Sequence, residues 1–337
     1  MKVSELGEFG LIELLAEMVA ASQERQLASR RRLILGIGDD AAAWQDEAST
    51  RLVTCDSLIQ DVHFSPAITT WYELGWKALA VNLSDIAAMG GIPEFAVVSL
   101  ALPGDTGVGD VTALYRGMIE MAQQFEVAIV GGDTSRAPLV AITITVLGTT
   151  GGIDKPVLTR SAARPGDKIA VTGYLGAAAA GMEMLEKQLQ FDAEAAASLG
   201  AAFLKPLPLV AEGRRLVEQG VKAAIDISDG LVADLCHICR ASKVGARVEV
   251  DRVPVHLAVS SNFGDRAIEL ALSGGEDYQL LFTAGVEAID KIKEAASCPV
   301  TVIGETTADN AGDVSLIGRD GTTLHMHKRG WDHFTGN

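Results

Sequence analysis

An α/β fold in two domains is the architecture the sequence predicts, and three observations carry it. Strand-like and helix-like apolar patterns alternate along most of the 337 residues, the signature of layered α/β structure. A Gly-rich break at 148–156, "GTTGGIDKP", interrupts that alternation. The stretches on either side of the break have similar strand and helix content. The expected division is 1–150 for an N-terminal domain and 151–337 for a C-terminal one.

Taken in order, "FGLIELLAEMVAAS" has apolar residues at helical spacing, and "RLILGIG" and "TRLVTCDSL" read as strands. "WYELGWKALAVNLSDIAAM" is a long helix stopped by Gly90-Gly91 with Pro93 beyond. "DVTALYRGMIEMAQQF" is a second helix, and "EVAIVGGD" and "LVAITITVLGT" are strands. Past the break, "TRSAARPGDKIAVTG" is a turn feeding a strand. Helices follow over roughly 176–190, 193–204 and 208–219. "VKAAIDISDG" is a strand entering a helix at 229–243. "DYQLLFT" and "CPVTVIG" are strands with a helix between them.

Composition narrows the function. A net charge of −16 argues against a general nucleic-acid binder. The basic run Arg30-Arg31-Arg32 reads as a solvated patch before a strand. No stretch reaches the ~18 uncharged apolar residues of a membrane span. Glu5 and Glu8 stand ahead of the first apolar run, unlike a secretory leader. The expected location is the cytoplasm. Cys236 and Cys239 form a C-x-x-C with His237 between them, but no second pair completes a zinc site. Two ordinary helix cysteines are the simpler reading, with metal or redox chemistry as the alternative.

Asp39 and Asp40 end an apolar run with no Lys or Arg within six residues after them. Gly36-Ile37-Gly38-Asp39-Asp40-Ala41 formally matches a dinucleotide fingerprint. Two carboxylates at that turn would repel a pyrophosphate, however. No phosphate-binding P-loop motif occurs anywhere. Further acids recur after apolar runs: Asp56, Asp133, Asp226 and Asp229, then Glu276-Asp277 after "LSGG". Asp85 lies three residues past Asn82, on the same helix face. These positions predict strand ends and tight turns, where α/β sheets bind ligands. Each alone could be a helix N-cap, Asp229 in particular. Gathered in one cleft, they need cations. Mg²⁺ is held by a few carboxylates together with substrate phosphates, so a polyaspartate Mg²⁺ site for a phosphorylated ligand is expected.

Eight motifs in order identify a resemblance. They are G-I-G-D-D-A (36–41), D-S-L-x-x-x-V-H-F (56–64), K-A-L-A-V-N-L-S-D-I-A-A-M-G (77–90) and G-G-D-T (131–134). L-T-R-S-x-A-x-P-G-D (158–167), I-D-I-S-D-G-L (225–231), L-S-G-G-E-D-Y (272–278) and G-W-D-H-F (330–334) complete the set. This set closely resembles the thiamine-monophosphate kinase family, over nearly the whole chain. The wider superfamily contains aminoimidazole ribonucleotide synthetase, selenophosphate synthetase and a hydrogenase-maturation enzyme. The H-F at 63–64, the S-G-G-E-D-Y and the terminal W-D-H-F point to the thiamine branch.

The resemblance implies two α+β domains of the aminoimidazole ribonucleotide synthetase type, with the N-terminal domain binding ATP and Mg²⁺ and pairing its sheet in a homodimer. It implies transfer of the γ-phosphoryl of ATP to thiamine monophosphate, in line and without a phosphoenzyme. The implied metal ligands are Asp40, Thr54, Asp56, Asp85, Asp133, Asp226 and Asp229. Family members typically carry Ser-Thr where this chain has Thr54-Cys55. A Cys side chain is a poor Mg²⁺ ligand, so a backbone carbonyl is the expected contribution of Cys55. Gly132, Asp133, Arg160 and Ser228 are implied nucleotide contacts. Tyr115 is either an adenine contact or a core aromatic. His63, Glu276 and Trp331 are implied on thiamine monophosphate, where Trp331 offers a π face and Glu276 a carboxylate to the cationic thiazolium. Asp133 and Asp229 are the expected catalytic pair. The number of metal ions and a need for K⁺ stay open. Two rival readings also stand: another ATP-dependent enzyme of the superfamily, and a non-catalytic nucleotide or cation binder.

Overall fold

The computed structural model describes residues 33–35, 39–45, 49–324 and 330–331. The expected first helix, the turn glycines at 36–38 and the terminal D-H-F lie outside the described residues. So does the basic run at 30–32.

Six strands form the first sheet. They are β1 (Leu33–Leu35), β2 (Ala42–Gln45), β3 (Thr50–Ile59), β4 (Ile92–Leu102), β5 (Ala128–Arg136) and β6 (Ala141–Thr149), in the order β1-β2-β3-β6-β4-β5. Only the β4–β5 pair is parallel. Strict alternation on β6 and on the central part of β4 puts Ile142, Ile144, Val146, Ala96, Val98 and Leu100 on one buried face. Two helices cover that face, α1 (Trp71–Ala88) and α2 (Val108–Gln124). A capping box starts α1: Glu73 N–H donates to Thr70 Oγ1 at 3.3 Å, and Thr70 N–H donates to Glu73 Oε2 at 2.9 Å. Gly75 and Gly117 let the two helices touch. A Cβ on Gly75 would meet Leu114 O at 1.8 Å, and one on Gly117 would meet Tyr72 O at 1.9 Å.

The second sheet holds β7 (Lys168–Thr172), β8 (Ala223–Asp226), β9 (Gly245–Glu249), β10 (Leu280–Ala284), β11 (Val300–Thr307), β12 (Val314–Ile317) and β13 (Thr323–Leu324). Their order is β13-β12-β9-β11-β7-β10-β8. All pairs are antiparallel except β12–β9. Helices α3 (Ala177–Lys187), α4 (Ala193–Leu204), α5 (Val210–Glu218), α6 (Leu231–Ser242), α7 (Leu257–Phe263), α8 (Ala267–Ser273) and α9 (Val286–Ala295) surround it. Val171, Ile225 and Leu281 join the core beneath α6. Ala170, Ala224 and Phe282 face the opposite core, with α5 and α9.

Helix α1 bridges the two units. Besides the first sheet it contacts α4, α5 and β8, which is why fourteen of its residues are buried, Lys77, Asn82 and Ser84 among them. No described helix is long and apolar enough to cross a membrane.

Three local expectations change. Asp56 lies inside β3 rather than at its end, because β3 stays paired with β6 through Ile59. Strand β5 continues past Asp133 to Arg136, because its parallel pairing with β4 runs to Leu102. Asp229 does not cap α6. Gly230 is the N-cap residue with φ +120°, and Asp234 Oδ2 instead accepts the N–H groups of Ser228, Asp229 and Gly230 at 3.1 Å each. Cys236 and Cys239 are buried residues of α6 with no disulfide between them.

Candidate active site

A cavity of about 990 Å³ lies where the two units meet. Its wall gathers acids that the sequence spreads over more than two hundred positions. Strand β3 brings Thr54, Cys55 and Asp56, α1 brings Asp85, and the end of β8 brings Asp226. The turn into α6 contributes Ser228 and Asp229, and the turn ahead of β10 contributes Glu276. Asp40, His63, Arg160 and Trp331 also line it.

Asp40, Asp85 and Asp226 each place a carboxylate oxygen within 4.8 Å of the others. Short polar contacts aim them. Thr54 Oγ1 donates to Asp85 Oδ2 at 2.5 Å, and Ser84 Oγ donates to Asp226 Oδ2 at 2.6 Å. The Asp56 N–H donates to Asn82 Oδ1 at 3.0 Å, tying β3 to α1. The counter-charge is Arg160, from 120 residues away in sequence. Its Nη2 donates to Asp40 Oδ1, and its backbone N–H donates to Asp39 Oδ2 at 3.2 Å. The second Asp40 oxygen, Oδ2, is buried without a hydrogen-bond partner.

Crowded, buried carboxylates resist ionising. Burial holds Asp85 well above the usual carboxylate range, and the charges of Asp56, Asp226 and Asp40 add to it. Burial and then Asp40 raise Asp226 as well. Asp39 is pushed up to about 6 by burial and Asp40, with Arg160 pulling the other way.

A second trio stands beside the first: Asp229, Asp234 and His237. Asp234 Oδ2 is already committed to three backbone N–H groups, so Asp234 braces the 228–230 turn. Burial, then Arg160 and Arg240, press His237 down to about 4 and keep it neutral.

Elsewhere on the wall, Glu276 takes Lys77 Nζ at 2.8 Å, and His63 Nδ1 accepts the Ile59 N–H at 3.1 Å. Trp331 is anchored by its N–H on Asp229 O at 3.1 Å.

Three expected residues stand apart from the cavity wall. Tyr115 packs against the core under α2, as the core alternative had it. Gly132 and Asp133 sit on β5, three strands from β3, about 14 Å at the usual strand spacing. Register carries Ser57 through Thr143 and Ser99 to Asp133. Asp133 therefore shares the face of Ser57 and Cys55, opposite the face that α1 covers. That face is largely uncovered, with Phe95 and Val97 exposed. Cys55 belongs to both regions: it lies on this face and also lines the cavity.

Residues 38–150 match the model of the AIR synthase related protein N-terminal domain, and residues 164–317 match its C-terminal domain. Thiamine-monophosphate kinase of Escherichia coli K12 is 38% identical over 97% of this chain and 98% of its own. The chain belongs to the thiamine-monophosphate kinase family. The Bacillus subtilis member is 36% identical over 89% of this chain and 93% of its own. Among solved structures, AaThiL complexed with AMPPCP and TMP superposes with a TM-score of 0.84 at 32% identity, covering 99% of both chains. Hydrogenase maturation protein HypE, at 21% identity and a TM-score of 0.66, shares the fold. Relatives of this family are kinases, so this member stands among phosphotransferases.

Sequence reasoning missed Lys77 and Ser84, although both lie inside a quoted motif. It also missed Asp234, whose only signal was its place five residues past Asp229.

Proposed function

We propose that this chain transfers the γ-phosphoryl of ATP to the phosphate of thiamine monophosphate, giving thiamine diphosphate. The observation that carries the reading is the Asp40–Asp85–Asp226 cluster with its buried, unpartnered Asp40 oxygen, in a cleft shared with Glu276 and Trp331. The relative solved with AMPPCP and TMP supports both substrates.

The donor set is all oxygen, which suits Mg²⁺. Asp40, Thr54, Asp56, Asp85, Asp226 and Asp229 would hold it by side chains and Cys55 by its carbonyl. Mg²⁺, when bound, supplies the positive charge that neutralises two polyanions brought together.

The chain's own residues do the rest. The acceptor is a phosphate monoester with a second pKa of about 6, already a nucleophile near neutrality. No general base is required, and neutral, half-buried His237 is not recruited as one. Arg160 offers a planar fork to phosphate, and Ser228 lies on the adjoining turn. Trp331 and Glu276 recognise the thiazolium end, with His63 beside them. Transfer is direct and in line.

Asp133 and Gly132 enter through the uncovered sheet face. A second copy packed there would shield Phe95 and Val97 and bring β5 into a closed site. The chain is therefore read as a cytosolic homodimer. Residues 1–150 act as the ATP-, Mg²⁺- and dimer-forming domain, and 151–337 as the C-terminal domain.

Purified protein given ATP, Mg²⁺ and thiamine monophosphate should form thiamine diphosphate and ADP in equal amounts. Folded protein that binds ATP but forms no thiamine diphosphate would contradict the reading and favour a non-catalytic binder.

A further inference from the structure

Lysine is almost never fully buried unless paired, yet Lys77 is 2% exposed in the middle of α1. Its ammonium lies 2.8 Å from both carboxylate oxygens of Glu276 and 3.9 Å from the centroid of the Phe203 ring. Lys77 is not part of the cavity wall, whereas Glu276 is. The lysine thus reaches Glu276 from behind, across the junction of the two units.

The turn that carries Glu276 has an uncommon backbone. Glu276 has φ +65° and Tyr278 φ +47°, a region non-glycine residues hold only where their surroundings over-determine it. The second unit fixes the main chain. Glu276 N–H donates to Ser228 O at 2.8 Å, and Tyr278 N–H to Ile227 O at 2.9 Å. Asp277 accepts the N–H groups of Gly176 and Ala178 at 2.7 and 3.2 Å, at the start of α3. Gly275 is pressed so close to Ser228 O that a Cβ would sit 2.3 Å from it. These contacts do not set the Glu276 side chain; Lys77 holds it and through it ties the strained turn to α1.

A buried ion pair is poor evidence of stabilisation, because two apolar residues often serve as well. A geometric role accounts better for keeping it. We infer that Lys77 is a positioning residue: from the first unit it holds the Glu276 carboxylate, carried by the second, in place on the cleft wall. This rests on the proposed function and deepens it, since it makes recognition of thiamine monophosphate depend on the two units being correctly docked.

The experiment compares wild type, Lys77→Met, Glu276→Gln and the double variant. Lys77→Met should raise KM for thiamine monophosphate at least about tenfold and leave KM for ATP within about twofold. It should also speed hydrogen exchange of the 274–279 segment. In the Glu276→Gln background, adding Lys77→Met should change KM for thiamine monophosphate less than about twofold, because both act through one carboxylate. The double variant buries no unpaired charge, so it serves if Lys77→Met alone does not fold. An equal rise in both KM values overturns the inference, as does an unchanged 274–279 exchange rate or a further tenfold loss on top of Glu276→Gln. Exchange needs no substrate. A wild type that makes no thiamine diphosphate would overturn the proposed function, while exchange would still decide the role of Lys77.

Discussion

Two acidic groups on the cleft wall handle their charge in opposite ways. Among the described residues, the Asp40–Asp85–Asp226 group has one ion-paired guanidinium, Arg160, held by Asp40. The other, Glu276, meets Lys77 one to one. Among the described residues the first group is short of positive charge and keeps an unpartnered Asp40 oxygen. The second is neutral as folded. The difference separates two tasks: a charge deficit invites cations and the phosphates they accompany, and a closed pair fixes a geometry.

Breaking the acidic cluster should have the largest effect. Asp226→Asn keeps a group able to accept from Ser84 but removes one charge, and should lower kcat about 10²–10³-fold, the scale for losing one electrostatic contact to a transition state. Steady-state kinetics checks this. The metal-free protein should meanwhile melt at a higher temperature at pH 7.5, since a crowded like charge is gone.

Breaking the neutral pair should do the reverse to stability. Glu276→Gln strands a buried ammonium and should cost about 3 kcal/mol in a denaturant titration. That is the low end for a broken buried pair, because the Glu276 side chain is 28% exposed.

Stability against pH sharpens the contrast further. Asp39 is raised to about 6 and Asp277 to about 7, in both cases first by burial. Asp85, Asp226 and Asp234 are raised in the same way. A carboxyl raised on folding holds its proton longer folded than unfolded. The stability it contributes is complete below the unfolded pKa of about 4 and is lost as pH rises through the folded value. His237, lowered to about 4, opposes this between about 4 and 6.5, but the raised carboxyls outnumber it. Metal-free protein should therefore lose melting temperature from pH 5 to pH 7.5, and Mg²⁺ should restore it at pH 7.5 much more than at pH 5.

The smallest effect serves as a control. Thr70→Ala removes the side-chain half of the capping box on α1, about two turns before Lys77, and should cost about 1 kcal/mol. Both KM values should stay unchanged.

Much of this site was legible in the sequence, residue by residue. Asp40, Asp226 and Glu276 each follow an apolar run broken by a turn, and each reaches the cavity. Their partners were not legible. Arg160 and Lys77 lie 120 and 199 residues from the acids they meet, and only docking of the two units brings them together. Lys77 also sits in a helix whose apolar periodicity is blurred, because α1 packs on both sides. The face chosen by Asp133 was hidden for another reason. Val130 is an extra residue on β5 where the β4 register slips between Ala96 and Val97, and one extra residue reverses the sides that alternation assigns.

Calorimetric titration of Mg²⁺ with AMPPCP into metal-free protein at pH 7.5 tests the contrast most directly. Wild type and Glu276→Gln should bind alike, and Asp226→Asn should bind at least about tenfold more weakly. Equal binding by all three would contradict the assignment of the cation site to the Asp40–Asp85–Asp226 group.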